Sequence, residues 1–267
     1  MRAPLLVRAL PDLVRVSAAE VTAWRAELIL WVLTATLPLV QLALWNTVAA
    51  DGPVAGLDQA DMARYFGGTL LVRQLTANWV TWSLSYEIRS GALSPRLLKP
   101  VHPLWQYATQ MVLAMPIRMG VLSPILLGVV LWRPELVVWP GAAAFALFLV
   151  SVGLAWLLQF LIQALVGILA FWVDKTDALF AAWFSVWLVF SGYAAPMAVF
   201  PDWMRAVGTW LPFRATLATP VELLSGGLAP GDAARDLGLQ LAWVGLLLLG
   251  VGLAWRRGLA RYGAFGA

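Results

Sequence analysis

The chain alternates long apolar runs with short polar interruptions, and the runs are too long for the core helices of a soluble domain. Crossing a hydrocarbon core takes about 20 apolar residues. Six stretches reach or approach that length: Leu28–Ala50, Phe66–Tyr86, Trp105–Trp132, Val137–Val173, Ala178–Val199 and Leu237–Trp255. The second is the weakest, because Arg73, Gln74 and Asn78 interrupt it. The third carries Pro116 and Pro124, and the fourth is longer than one crossing requires, so it must tilt or project beyond the bilayer. Ahead of the first run, Leu13, Val14, Val21 and Trp24 recur at helical spacing among Asp12, Arg15, Glu20 and Arg25. That is the pattern of a helix lying in the interface plane; a frayed basic leader is the alternative reading. Its scattered arginines leave no uninterrupted apolar core and no cleavage site, so the segment is expected to be retained. The pattern predicts an all-α integral membrane protein built as a single transmembrane domain over residues 1–267. It consists of an interfacial segment at 1–27, six transmembrane helices within 28–255 and a tail at 256–267.

Composition agrees with a membrane setting. The chain is 61% hydrophobic and 12% charged, with a mean hydropathy of +0.80, where a soluble domain carries about 25% charged residues. The net charge of +4 does not gather on one face or tail, so no nucleic-acid partner is expected. The basic residues mark topology instead. If both termini are cytoplasmic, eleven basic residues fall inside and five outside, and the excess of positive charge on the cytoplasmic side fixes the orientation. The chain has no cysteine and a single histidine, His102, which removes thiolate chemistry and leaves no pair of metal ligands of these types. No metal site is expected.

The largest inner interruption reads YEIRSGALSPRLLKPVHPLW, from Tyr86 to Trp105. Ser94 is placed to cap a turn beginning at Pro95, and Pro100 and Pro103 close the run Arg96-Leu97-Leu98-Lys99. Such a helix would show Leu97 and Leu98 on one side with Arg96 and Lys99 on the other. Spacing alone leaves two readings open, a docking surface and a loop whose basic residues anchor at the headgroups. Between the fifth and sixth runs, PDWMRAVGTWLPFRATLATPVELLSGGLAPGD is too amphipathic for a plain loop and too broken for a crossing. Its Trp210, Pro212, Phe213 and Arg214 fit either an external gate or a set of interfacial anchors.

Ionisable groups inside crossings are functional candidates, because a central charge costs about 2.5–3.5 kcal/mol even on insertion scales. Arg73 and Arg118, with the neutral polar Asn78 in the same run as Arg73, are therefore candidates for a substrate path that attracts an anionic or polar solute. The structural alternative has Arg73 snorkelling to the headgroups and Arg118 pairing with a carbonyl freed at Pro116. The turn VDKTD supplies Asp174, Lys175 and Asp177, read as a solvated turn with an N-cap for the fifth helix. Small residues near Gly153, Gly167 and Gly192 permit close approach between helices.

Three stretches together, EIRSGALSPRLLKPVHPLW, LPFRATLATPVELLSGG and WRRGLARYGAFGA, resemble the ABC-2 type permeases of bacterial ABC exporters, in order and over essentially the whole chain. The resemblance implies a six-helix half-transporter in the bacterial cytoplasmic membrane that works as a dimer with a second permease, either the same chain or a related one. It implies export of a hydrophobic or amphipathic substrate by alternating access. It also implies a coupling helix after the second span that engages a separate ATPase. Carried onto this chain, that element is Glu87 to Pro100, with Glu87, Arg89, Gly91, Ser94, Arg96, Leu97, Leu98, Lys99 and Pro100 as coupling residues, and with re-entrant helices before the last span.

The residues themselves supply half of that picture. A phosphate-binding loop needs glycine-rich backbone followed by Lys-Ser or Lys-Thr. The two lysines are Lys99, followed by proline, and Lys175, preceded by aspartate. No cofactor is therefore expected on this chain, and ATP and Mg2+ belong to the partner ATPase. A membrane scaffold without transport, and an intramembrane enzyme lacking any recognisable acid or nucleophile pair, are the rival classes. Besides the ATPase and second permease, membrane lipid is the expected partner.

Overall fold

The computed structural model describes residues 27–132, 139–228 and 230–264. The interfacial helix expected over residues 10–25, the start of the fourth run at Val137 and the end of the tail at 265–267 lie outside the described residues. The described chain is helical, with one isolated bridge between Val54 and Leu57. In order, the helices are α1 (Glu27–Val48), α2 (Gln59–Thr76), α3 (Val80–Ser90), α4 (Ser94–Leu97), α5 (Pro103–Trp132) and α6 (Ala142–Ile168). They continue as α7 (Thr176–Phe190), α8 (Asp202–Trp210), α9 (Pro212–Ala215), α10 (Ala218–Ser225) and α11 (Pro230–Ala264). Among the described residues, Pro103–Gly128, Ala142–Phe171 and Gly231–Tyr262 are each long and apolar enough to cross a bilayer unaided, and Thr176–Phe190 is apolar but shorter.

The expected second run is not one helix. Asp58 and Asp61 form a reciprocal capping box that starts α2 well before Phe66. The helix then stops at Thr76, Ala77 turns extended (φ −62°, ψ 136°), and α3 begins at Val80. Arg73 and Gln74 lie in the last turn of α2 and Asn78 within the interruption, and these are the same three residues that weaken the apolar pattern. Extended backbone at this depth survives only where protein covers its polar groups.

Two other boundaries move. The fifth helix ends at Phe190 rather than near Val199, because Gly192 takes a left-handed backbone (φ +84°) and the Tyr65 hydroxyl donates to its carbonyl at 2.8 Å. A Cβ at Gly192 would stand 2.3 Å from that hydroxyl, so glycine is required on both counts. The sixth helix is longer than Leu237–Trp255 and runs from Pro230 to Ala264. The expected N-cap of the fifth helix is also absent: Lys175 occupies that position, without a side-chain cap bond.

Helix α6 is the hub, with α11, α3, α10 and α2 packed against it. Two apolar clusters result. One gathers Leu84, Tyr107, Leu158, Ile168, Phe171 and Trp255 at the end that carries the polar Tyr86–Trp105 segment. The other gathers Met62, Phe66, Trp187, Leu217 and Val221 at the opposite end. Where α3 meets α6, a Cβ on Gly167 would lie 3.2 Å from the Leu84 side chain and 3.3 Å from the Thr81 carbonyl, and the Thr81 hydroxyl donates to the Gln163 carbonyl at 2.9 Å. Gly167 therefore serves packing within the chain, whereas Gly153 faces open space.

Gly167→Leu is expected to overpack the α3–α6 contact and cost about 1–3 kcal/mol. Gly153→Leu should leave stability unchanged. Thermal unfolding midpoints in one detergent compare the two variants, and equal midpoints would contradict the packing.

Candidate functional site

The polar segment after α3 is tied down from three directions. Gly91 ends α3 with a left-handed backbone (φ +78°), and the Leu93 N–H donates to the Glu87 carbonyl at 3.0 Å, which turns the chain back and buries Leu93. The Glu87 carboxylate accepts from Arg96 Nε at 2.7 Å and from the Tyr107 hydroxyl at 2.6 Å. The Arg96 guanidinium also lies 4.6 Å from the Tyr107 ring centroid. Because the Arg96 and Glu87 side chains are only 18% and 15% exposed, this ion pair is largely shielded. The Tyr262 hydroxyl of α11 donates to the Gly91 carbonyl at 2.9 Å, which leaves its oxygen to accept from the Ser94 hydroxyl at 3.0 Å. The Gln106 amide donates to the carbonyls of Val101 and Arg96, and Arg89 reaches across to the Asp174 carbonyl and the Thr176 hydroxyl.

This geometry reverses two expectations. Ser94 does not cap α4, whose N-cap is Leu93 without a side-chain bond; its hydroxyl serves Tyr262 instead. The two sides of the short helix are also mixed: Leu97 and Lys99 lie as expected, but Arg96 and Leu98 change places. Arg96 turns inward to Glu87, Leu97 packs on the apolar cluster, and Leu98 is 89% exposed beside Lys99 and Pro100. A four-residue helix is thus fixed from behind and shows an apolar tip with one cation. Tyr107, Gln106, Thr176 and Tyr262 were not legible as parts of this site. Only Tyr262 lay in one of the three quoted stretches, and nothing in its spacing pointed to Gly91.

The interruption between α2 and α3 forms a second constellation. Arg118 of α5 is 3% exposed and donates through Nη1 to the carbonyl of Ala77, the residue that ends α2; Nη2 lies 3.4 Å from the Met111 carbonyl. Its guanidinium sits 5.6 Å from the Trp79 ring. Arg118 thus pairs chiefly with a carbonyl freed where the second apolar run breaks, rather than by Pro116. The Arg73 guanidinium does not run out to a headgroup; it lies over Trp187 at 5.0 Å and Tyr193 at 5.7 Å. Among the described residues, neither arginine meets a carboxylate at ion-pair distance. Arg118 Nε and Asn78 Oδ1 are buried without a hydrogen-bond partner there.

The third constellation fastens α8 to α11. Arg214 of α9 bridges the Glu222 carboxylate of α10 and the Asp236 carboxylate of α11, and Arg235 adds a second cation to Asp236 at 3.1 Å. Burial raises the Glu222 pKa and the neighbouring Arg214 opposes that rise. The Phe213 ring lies tilted beside Phe190 at 6.5 Å, the Trp243 indole donates to the Trp210 carbonyl at 3.0 Å, and the Gln240 amide donates to the Ala215 carbonyl at 2.7 Å. Trp210 is exposed, and Pro212 opens α9 at a position where its missing N–H is harmless. Among the described residues, no three metal-ligating side chains converge.

A family model described as ABC-2 family transporter protein matches residues 32–266, which include all three constellations. No curated protein and no solved structure matches the chain. The matched family comprises multi-pass membrane components of ABC transporters that work with an ABC ATPase. The match covers almost the whole chain, and the chain belongs to the ABC-2 transporter family.

Proposed function

We propose that this chain is the permease subunit of a bacterial ABC exporter, crossing the cytoplasmic membrane six times with both termini inside. The second crossing is the α2–α3 pair, and the polar segment from Glu87 to Pro100 is the element that docks on a separate ATPase carrying ATP and Mg2+. The observation that carries this reading is the short helix α4, held from behind by Glu87, Tyr107 and Tyr262 while Leu98 stands 89% exposed. An exposed apolar tip on a rigid mount fits a groove on another protein. The shielded ion pair and the Tyr262 bonds fit the transmission of a push from that groove into α3, α5 and α11.

Two such subunits, or this one with a related permease, enclose the path, which opens alternately to either side and moves a hydrophobic or amphipathic substrate outward. Arg73 and Arg118, cationic and unmatched by carboxylates among the described residues, favour a substrate with an anionic or polar part. Trp210, Pro212, Phe213 and Arg214, clamped to α11 through Asp236, form the outer gate in this reading.

The docking assignment separates two classes of variant. Leu98→Glu should weaken ATPase co-purification by ~2 kcal/mol, about thirtyfold, as expected for a central interface anchor, while leaving the thermal midpoint unchanged. Arg96→Ala strands the Glu87 carboxylate, so it should lower the midpoint and reduce substrate-stimulated hydrolysis by the ATPase that remains bound. Undiminished ATPase retention by the Leu98 variant would remove the docking assignment.

Orientation has its own test. The chain lacks cysteine, so Leu98→Cys provides a single thiol. A membrane-impermeant maleimide should label it in inside-out vesicles and leave it unlabelled in intact cells. Labelling of intact cells would reverse the assigned topology.

A further inference from the structure

A groove of about 590 Å³ runs along the face where α5, α6 and α11 meet, at the end that carries the polar segment. Its volume lies within the range of about 300–1,000 Å³ typical of small-molecule sites. Its walls are almost wholly apolar, with Trp105, Val112, Trp156, Phe160 and Leu248 among them, and its open floor is made by Gly252, where an added Cβ would meet nothing within 4 Å. These walls belong to membrane-crossing helices, so the groove opens to acyl chains rather than to water.

The polar end is chemically distinct. His102 lines the groove there, its ring 4.9 Å from Trp255. The Leu104 N–H donates to His102 Nδ1 at 3.2 Å, so in the neutral ring the proton sits on Nε2, which is left as a donor. Burial lowers the His102 pKa and favours that neutral form. Two exposed cations lie near this lining in sequence: Lys99 stands three residues before His102, and Arg256 follows Gly252 by one helical turn, continuing the stripe Leu248–Gly252 on one face of α11. An apolar trough that ends in an N–H donor, with two exposed cations close to its lining in sequence, matches a molecule with an acyl chain and an anionic head.

We propose that this groove is a binding site for one anionic phospholipid from the leaflet on the side of the polar segment. Its acyl chain lies along Trp105, Phe160 and Gly252, and its phosphate meets His102 Nε2 and the Lys99 and Arg256 cations. The lipid head would then rest against the residues that connect α4 to α5, so its occupancy would stiffen the mount of the exposed Leu98. The site requires only that α5, α6 and α11 cross the membrane, and it stands or falls apart from the docking assignment.

Native mass spectrometry of the full chain in mild detergent tests it, with dioleoylphosphatidylglycerol and dioleoylphosphatidylcholine as probes. The wild-type chain should retain the glycerol lipid in preference to the choline lipid. Arg256→Ala should weaken retention of the glycerol lipid about fivefold, the factor that one basic group contributes near an anionic surface, and His102→Ala should reduce the preference further. Gly252→Trp should displace both lipids by filling the floor without a clash, while Gly250→Trp, an equal change on the opposite face of α11, should displace neither. Glycerol phosphate without acyl chains should not compete.

Equal loss in the Gly250 and Gly252 variants would mean that the lipid is only annular, and wild-type retention by Gly252→Trp would place it elsewhere. Competition by glycerol phosphate would reduce the site to a headgroup contact. A disulfide between Gly252→Cys and Trp24→Cys in the same chain would give the groove to the chain's own N-terminal segment. Each of these four results overturns the proposal.

Discussion

The bond from Arg118 to the Ala77 carbonyl is what allows the second apolar run to be made of two helices. A helix that stops in hydrocarbon leaves carbonyls without partners, and lipid offers none. Here a guanidinium from α5 fills that role, and the indole of Trp79 covers the guanidinium in turn. Much of the remaining arrangement follows from this contact. It ties α5 to the α2–α3 junction, frees α3 to pack closely on α6 at Gly167, and carries α3 forward to the turn at Gly91 that presents the polar segment. A continuous helix from Gln59 to Ser90 would have needed no such arginine.

The polar segment shows how far an ion pair can redirect a short helix. Read as a pattern, Arg96 and Lys99 belong outside with Leu97 and Leu98 turned inward. In the fold Glu87, one turn before the end of α3, captures Arg96 and rotates the helix so that Leu98 is the residue left in solvent. Sequence spacing within four residues cannot reveal this, because the deciding partner lies nine residues back and the second partner, Tyr107, lies on another helix. Ser94 is a similar case: its reading as a cap was locally sound and gave way to Tyr262, far along the chain.

The helical class and the long apolar runs were legible because hydropathy is a local property of each run. The weakness of the second run was legible too, since Arg73, Gln74 and Asn78 interrupt it, and that is where the helix breaks. What the pattern could not supply was the geometry of rescue. That Arg118 would reach Ala77, that Arg73 would lie on Trp187 and Tyr193, and that Arg214 would bridge two carboxylates all depend on contacts between distant parts of the chain. The early end of the fifth helix belongs to the same class, because Gly192 looks like any small residue until Tyr65 is placed against it.

The clamp of Arg214 on Asp236 carries a consequence for the order in which the molecule is made. Asp236 and Gln240 sit near the start of α11, which is synthesised after their partners Arg214 and Ala215 have emerged. Until α11 enters beside them, α9 and α10 therefore hold the Arg214–Glu222 pair and the packing of α10 on α6, with the Asp236 side of Arg214 still unfastened. Closure of that end of the molecule therefore waits on α11. A nascent chain stalled before α11 would be inserted for most of its length yet lack its lock.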